Sequence, residues 1–235
     1  MQLRIVTMLA ALAVTPGAFA QDWDWKVAPY LWAAGIEGDV ALGPIARDVD
    51  VEFSDLLHVL AGAALVHVEG SKGENTIFGD LVWMSLEPED EIATVGGVTE
   101  ASFDTLILEA GYVRELTNIG LELGVRYWDF ELELDPALLA AVQRDDNWVD
   151  GFIGIRRSSS IGDKWTSTTS FDIGAGGSDF TWAFDLVYSL ELKGGNRFAT
   201  GLKVLDIDYE NESVNGQAFV QDLTFLGATI GYVFD

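Results

Sequence analysis

The chain alternates. From Phe180 to Leu192, the residues Phe180, Trp182, Phe184, Leu186, Tyr188, Leu190 and Leu192 fall on one face, and Thr181, Ala183, Asp185, Val187, Ser189 and Glu191 on the other. A period of two sustained over this length specifies a β-strand, since a helix would scatter the aromatics around its axis. Ile119, Leu121, Leu123, Val125 and Tyr127 alternate in the same way with Gly120, Glu122, Gly124 and Arg126. So do Val149, Gly151, Ile153 and Ile155 with Asp150, Phe152, Gly154 and Arg156, and Leu226, Ala228, Ile230, Tyr232 and Phe234 with Gly227, Thr229, Gly231 and Val233.

Two kinds of connection take turns between these stretches. Ser71–Asn75, Glu115–Asn118, Ser159–Asp163 and Gly194–Asn196 are short. Gly43–Leu60, Pro88–Gly97, Asp135–Asn147, Gly176–Asp179 and Asn211–Gln217 are mostly longer and acidic. The count implies an all-β fold of about ten antiparallel strands, with eight and twelve as alternatives, and an even number leaves both termini on one side.

A soluble sandwich or barrel would also alternate, so the period alone does not select an environment. Three features favour a membrane. Several strands exceed the five or six residues usual in soluble sheets. Aromatic residues gather towards both ends of the apolar faces, with Trp165, Phe198, Tyr112, Tyr232 and Phe234 on the short-turn side and Trp182, Trp148 and Tyr127 on the long-loop side, as interfacial girdles do. The opposite faces carry charge and glycine. In a bilayer every backbone group must find a partner, so such a sheet closes on itself. The expectation is a closed antiparallel transmembrane β-barrel.

Composition narrows the picture. The 235 residues carry 13 Lys+Arg against 38 Asp+Glu, a net charge of −25, which argues against nucleic acid as a partner. The absence of Cys excludes a disulfide scaffold, a thiol nucleophile and a Cys-ligated metal. Met1–Ala20 reads as a cleaved export signal: Arg4 supplies the positive start, Ile5–Val14 the apolar run, and Ala18-Phe19-Ala20 the cleavage signature. About ten apolar residues cannot cross a core of roughly 30 Å. The barrel domain is expected over residues 21–235.

Extending the alternation gives an inward set. The acids are Glu69, Asp80, Glu109, Glu122, Asp150, Asp172, Asp185 and Glu191; the bases are Arg126, Arg156 and Lys203, with His67 beside Glu69. Unpaired charge in a narrow enclosure is costly, so a hydrogen-bonded ion network is expected. Leu65, Phe152 and Phe225 share this face and push towards a filled interior, as does a count of ten strands; the alternative is a narrow, cation-leaning pore or small-solute transporter. Acids also crowd the long connections: Glu37, Asp39, Asp48, Asp50, Glu52 and Asp55; Glu87, Glu89, Asp90 and Glu91; Asp129, Glu131, Glu133 and Asp135; Asp206, Asp208, Glu210 and Glu212. Hard cations prefer carboxylate oxygens, and divalent ions held there would bridge to lipopolysaccharide phosphates; plain solvation accounts for the same acids. Ser54 is placed to cap a short helix over Ser54–Leu60 at the barrel mouth.

The segments Ala28-Pro-Tyr-Leu-Trp-Ala-Ala-Gly35, Phe53-Ser-Asp-Leu-Leu57, Phe78-Gly-Asp-Leu-Val82, Gly124-Val-Arg-Tyr-Trp-Asp129, Trp148-Val-Asp150 and Gly201-Leu-Lys-Val-Leu-Asp-Ile-Asp-Tyr209 together resemble a largely uncharacterised family of Gram-negative outer-membrane β-barrel proteins. The resemblance implies an outer-membrane location with both termini periplasmic, contact with outer-membrane lipids and lipopolysaccharide, and handling by the barrel-assembly machinery. That machinery reads a terminal aromatic; here Phe234 is penultimate and Asp235 last. The family's motifs carry no known chemistry; no cofactor is expected, and the first expectation for the role is structural or surface-interacting. Some barrels of this class are proteases or lipid-modifying enzymes that rely on a histidine. This chain offers only His58, near Ser54 and Asp55, and His67, and no spacing supports a catalytic set, so a non-catalytic role is expected. Finally, Gly124-x-Arg-x-Trp-Asp-x-Glu echoes Gly201-x-Lys-x-Leu-Asp-x-Asp, which reads as two strands meeting the same interface.

Overall fold

A computed structural model describes residues 23–42, 45–86, 98–136, 142–212 and 218–235. The export signal and the acids at 87–91 lie outside the described residues. The chain runs β1 (Asp24–Leu42), β2 (Ile45–Val51), helix α1 (Phe53–Val59), β3 (Leu60–Lys72), β4 (Asn75–Leu86), β5 (Val98–Glu115), β6 (Gly120–Pro136), β7 (Val142–Ile161), β8 (Trp165–Gly176), β9 (Phe180–Glu191), β10 (Arg197–Glu212) and β11 (Ala218–Val233). Ten strands, β1 and β3 to β11, form an antiparallel meander, and β11 pairs with β1 to close the cylinder. Closure joins the first and last strands, as a bilayer demands, and the one break in the ladders among the described residues lies between β1 and β3 above Pro29↔Val66. The additional strand β2 lies against only the upper part of β1, from Ile36↔Val51 to Leu42↔Ile45.

The long-loop side differs from the sequence expectation. The first long connection contains β2 and α1, and β7 already begins at Val142. Glu52, not Ser54, precedes the helix, and no side chain caps it. Short turns close tightly at the other end, where Gly73 and Gly162 take φ of 60° and 67°, values that favour glycine.

Strand length explains the most informative feature of the wall. About 9–11 tilted residues cross a bilayer core, whereas the barrel strands run from 12 residues in β4 to 20 in β7. The excess forms a second tier. Along β6 the outward residues Leu121, Leu123 and Val125 are exposed and apolar, and the series then changes to Tyr127, Asp129 and Glu131. Along β10 Leu202 and Val204 give way to Asp206 and Asp208, and along β11 Leu226 lies below Thr224 and Asp222. The motif echo marks this boundary twice, at Asp129 and Asp206.

The interior changes in the opposite sense. Below the boundary the inward positions hold Glu122, Arg126, Asp172 and Lys203. Above it they hold Trp128, Phe130, Trp148, Leu205, Ile207, Tyr209, Leu223 and Phe225, all buried in one cluster. The lower tier is therefore apolar outside and polar inside, as in a membrane barrel, and the upper tier acidic outside and dry inside, as in a water-soluble one. Trp148 corrects the girdle expectation: it is 7% exposed and points inward, in phase with Asp150 and Phe152.

Candidate functional site

Inward glycines make room for rings in the lower tier. A Cβ on Gly111 would lie 2.3 Å from Phe78 Cζ, and one on Gly124 2.4 Å from Phe152 Cζ. What the rings leave open is a cavity of about 390 Å³, reaching from Asp172, Asp185 and Lys203 down to Ser158, Arg197 and Val233 beside the short turns.

Charges in and around this cavity pair across the lumen. Arg156, on β7, reaches Glu69 on β3 at 2.5 Å, and Lys26 approaches Glu69 at 3.8 Å. His67 Nδ1 lies 3.0 Å from Asp80 Oδ2, and the Tyr30 hydroxyl donates to Asp80 Oδ1 at 2.8 Å. Lys203 contacts Asp185 at 3.4 Å and stands 5.8 Å over the Trp32 ring. Arg126, which is 0% exposed, donates from Nε to Glu109 at 2.7 Å and from Nη2 to Asp172 at 3.1 Å. Its guanidinium also stands 5.0 Å from the Phe152 ring. Two carboxylates thus meet one buried cation, which offsets its desolvation. Glu122 lines the cavity without an ion pair among the described residues. Glu191 is exposed at the short-turn end of β9, outside this cluster.

Asp150 belongs to a different construction. Fully buried, it accepts Trp128 Nε1–H at 2.8 Å and Trp148 Nε1–H at 3.3 Å on Oδ2, and the Ser178 backbone N–H at 2.9 Å on Oδ1. These indoles begin an aromatic deck. Trp148 stacks on Tyr209 from the far side of the lumen with centroids 3.7 Å apart and planes 9° apart, and it packs against Phe130 at 5.5 Å. Phe103 continues the series against Phe130 at 5.8 Å. The deck spans β5, β6, β7 and β10 directly above the Arg126 layer, at the upper end of the polar cavity.

Sequence reasoning missed Trp128 and Tyr209 as lumenal closures. The signal was parity: both share a face with an inward charge, Arg126 or Lys203. His58 is exposed on α1, and Ser54 Oγ donates towards Glu52 at 3.5 Å, so the two do not form a nucleophile–base pair. Among the described residues no group of three acidic or histidine side chains is arranged to hold a metal ion.

Outside, above the apolar band, acids stand directly opposite one another in the ladders. Asp39 faces Asp222 and Asp48, Glu37 faces Asp50, Asp104 faces Glu131, and Asp208 faces Asp222. Like charges in register destabilise a sheet. The Asp208 carboxyl, above the band, is held above its ordinary value of 3.8, first by partial burial and then by Asp222, Asp179 and Asp206.

No family model and no curated protein matches the chain. Solved structures do. The outer-membrane protease OmpT of Escherichia coli superposes with a TM-score of 0.52 at 8% identity, over 90% of this chain and 96% of that one. Ail, the attachment invasion locus protein of Yersinia pestis, aligns with a TM-score of 0.44 at 10% identity, over 91% and 100% of the two chains. A Pseudomonas aeruginosa FadL homologue aligns with a TM-score of 0.41 at 8% identity, over 92% and 90%. At such identities the likeness speaks for fold alone. The chain has the fold of the bacterial outer-membrane β-barrels, as a small closed barrel of ten strands.

Proposed function

We propose that this protein is a closed outer-membrane barrel with a structural or surface-interaction role, its short-turn end and both termini in the periplasm and its acidic tier outside the cell. The observation that carries this reading is the aromatic deck. The stack of Trp148 on Tyr209 at 3.7 Å joins two walls of the lumen with packed rings, which supports an axis closed to water. The deck rests on a buried carboxylate whose hydrogen bonds all go to the deck and its neighbouring turn. The outward change from apolar to acidic residues supports the assignment of the upper tier to water.

The partner of the acidic tier is the lipopolysaccharide around it. Carboxylates in register lower their mutual repulsion by sharing divalent cations, which also bind lipid phosphates. The reading is non-catalytic: His58 is not bonded to Ser54, and among the described residues His67 pairs with Asp80 and Glu69 but with no hydroxyl nucleophile.

The alternative, a cation-leaning pore, is favoured by one observation, the cavity-lining Glu122, which has no ion pair among the described residues. Planar-bilayer recording separates the two. The closed reading expects a silent wild type and conductance in the Trp148→Ala/Tyr209→Ala variant; steady wild-type conductance overturns it.

A further inference from the structure

Every neighbouring pair of barrel strands is laddered through the lipid-facing band except one. β1 and β3 pair from Asp24↔Ser71 to Pro29↔Val66 and then part. Continued, the register would join Tyr30 to Leu65 and Gly35 to Leu60. Instead β1 offers this edge unpaired from Tyr30 to Gly35, until β2 takes it up at Ile36. The β3 edge from Leu60 to Leu65 is likewise unpaired, while its other edge remains on β4. On its far side the same stretch of β1 pairs with Leu226–Gly231 of β11, whose outward Leu226 and Ile230 are lipid-facing. Leu31, near the lower end of the gap, is 65% exposed. An interruption here is at odds with the rule that backbone in lipid must be paired, unless the gap opens on an interior or is covered.

α1 sits at the upper end of the gap with Leu56 buried in the interior cluster, while Phe53 and Leu57 stay exposed. The lips are small residues, Ala33-Ala34-Gly35 and Ala61-Gly62-Ala63-Ala64, and on the second lip the Trp83 ring lies 3.0 Å from where a Gly62 Cβ would stand. Behind the gap lies Trp32, whose indole N–H is buried without a partner among the described residues. Beneath it the Tyr30–Asp80–His67 chain ties β1 to β4 at the roof of the polar cavity.

We propose that this gap is a lateral port through which one acyl chain of a bilayer amphiphile enters the barrel wall, with α1 as its cover and the polar cavity beneath as the seat of the head group. The chain matches the apolar gap, and the head group matches a cavity of hydroxyls and charges. The inference rests on the membrane placement of the lower tier and is compatible with a lumen closed along its axis.

The test is photolabelling of the full chain folded into phosphatidylethanolamine/phosphatidylglycerol vesicles, with diazirine-bearing palmitate or a phospholipid carrying the same chain. Outward labels on Leu226 and Ile230 report insertion. The port expects additional label on the inward-facing Trp32, Leu56 and Leu65, and its loss in Ala63→Phe with outward label unchanged. Ala34→Phe serves the same purpose if Ala63→Phe does not fold. Label from palmitate alone identifies a free fatty acid; label from the phospholipid identifies a resident lipid. Outward label without inward label from either probe overturns the port while leaving membrane placement intact. Absence of outward label would instead remove the placement on which the port rests, and the port with it. A second measurement addresses the gap itself. Leu31→Cys/Ala64→Cys should resist oxidation to a disulfide, whereas Val27→Cys/Val68→Cys, in the laddered part, should oxidise. Ready closure of the first pair overturns the proposal.

Discussion

Trp128 donates its indole N–H to Asp150 at 2.8 Å, and neither side chain is exposed. A carboxylate buried without a salt bridge is normally costly; here three N–H groups replace water around it. Asp150 thereby fixes the height and tilt of the deck. Asp150→Ala leaves two indoles and the Ser178 N–H unpaired, at about 1–3 kcal/mol for each buried donor. A lowered urea midpoint in detergent micelles is the expected result. Asp150→Asn, which keeps one acceptor, should lose clearly less.

Arg126 is the other buried anchor. Replacing it with Met leaves Glu109 and Asp172 facing each other in the lumen without their cation. Breaking a buried pair from one side costs about 3–5 kcal/mol. Arg126→Met should therefore show a lower unfolding temperature at pH 7, with part of the loss recovered in Arg126→Met/Glu109→Gln.

The deck contributes to stability as well as to closure. Trp148→Ala removes the ring between Tyr209, Phe130 and Trp128. Truncating a buried aromatic costs about 3–5 kcal/mol, read as a downward shift of the temperature at which the folded band is lost on an unheated gel.

Much of the cylinder was legible in the sequence. In β9 the alternation from Phe180 to Glu191 is unbroken, and short and long connections alternate, so an all-β barrel of about ten strands was the expectation, with eight and twelve left open. The tier boundary was harder. Lys203, Leu205, Ile207 and Tyr209 share one face, and a period of two does not say that this face turns from polar to apolar halfway along a strand. The outward Asp206 and Asp208 record the change, yet acids late in a strand also read as the start of a loop. Trp148 was misplaced because position suggested a girdle, although Val149 and Ile153 set its parity inward. Contacts across the lumen, such as Arg156 with Glu69, join strands that are not neighbours, and no local pattern encodes them. The gap beside β1 was invisible because Ala- and Gly-rich lips alternate too weakly to show where pairing ends.

The acidic tier carries a pH dependence. Asp208 has a raised carboxyl value, so the folded state holds its proton more tightly than the unfolded chain does. The resulting stability is present at low pH and is lost as pH rises from about 3.8 through the raised value. Asp208→Asn should exceed the wild type in urea midpoint at pH 7 and converge with it near pH 4. The side chain is largely solvated, so the shift is small and shrinks further in high salt.

The reversal of faces between the tiers is the central claim, and β10 tests it within a single strand. The chain has no native cysteine, so single cysteines at Leu202, Val204, Asp206 and Asp208 can carry spin labels cleanly. In vesicles, labels at 202 and 204 should collide with dissolved oxygen and be shielded from a water-soluble nickel chelate, whereas labels at 206 and 208 should show the reverse. Oxygen-rich, nickel-shielded labels at 206 and 208 would contradict the account, because they would put the acidic tier in lipid.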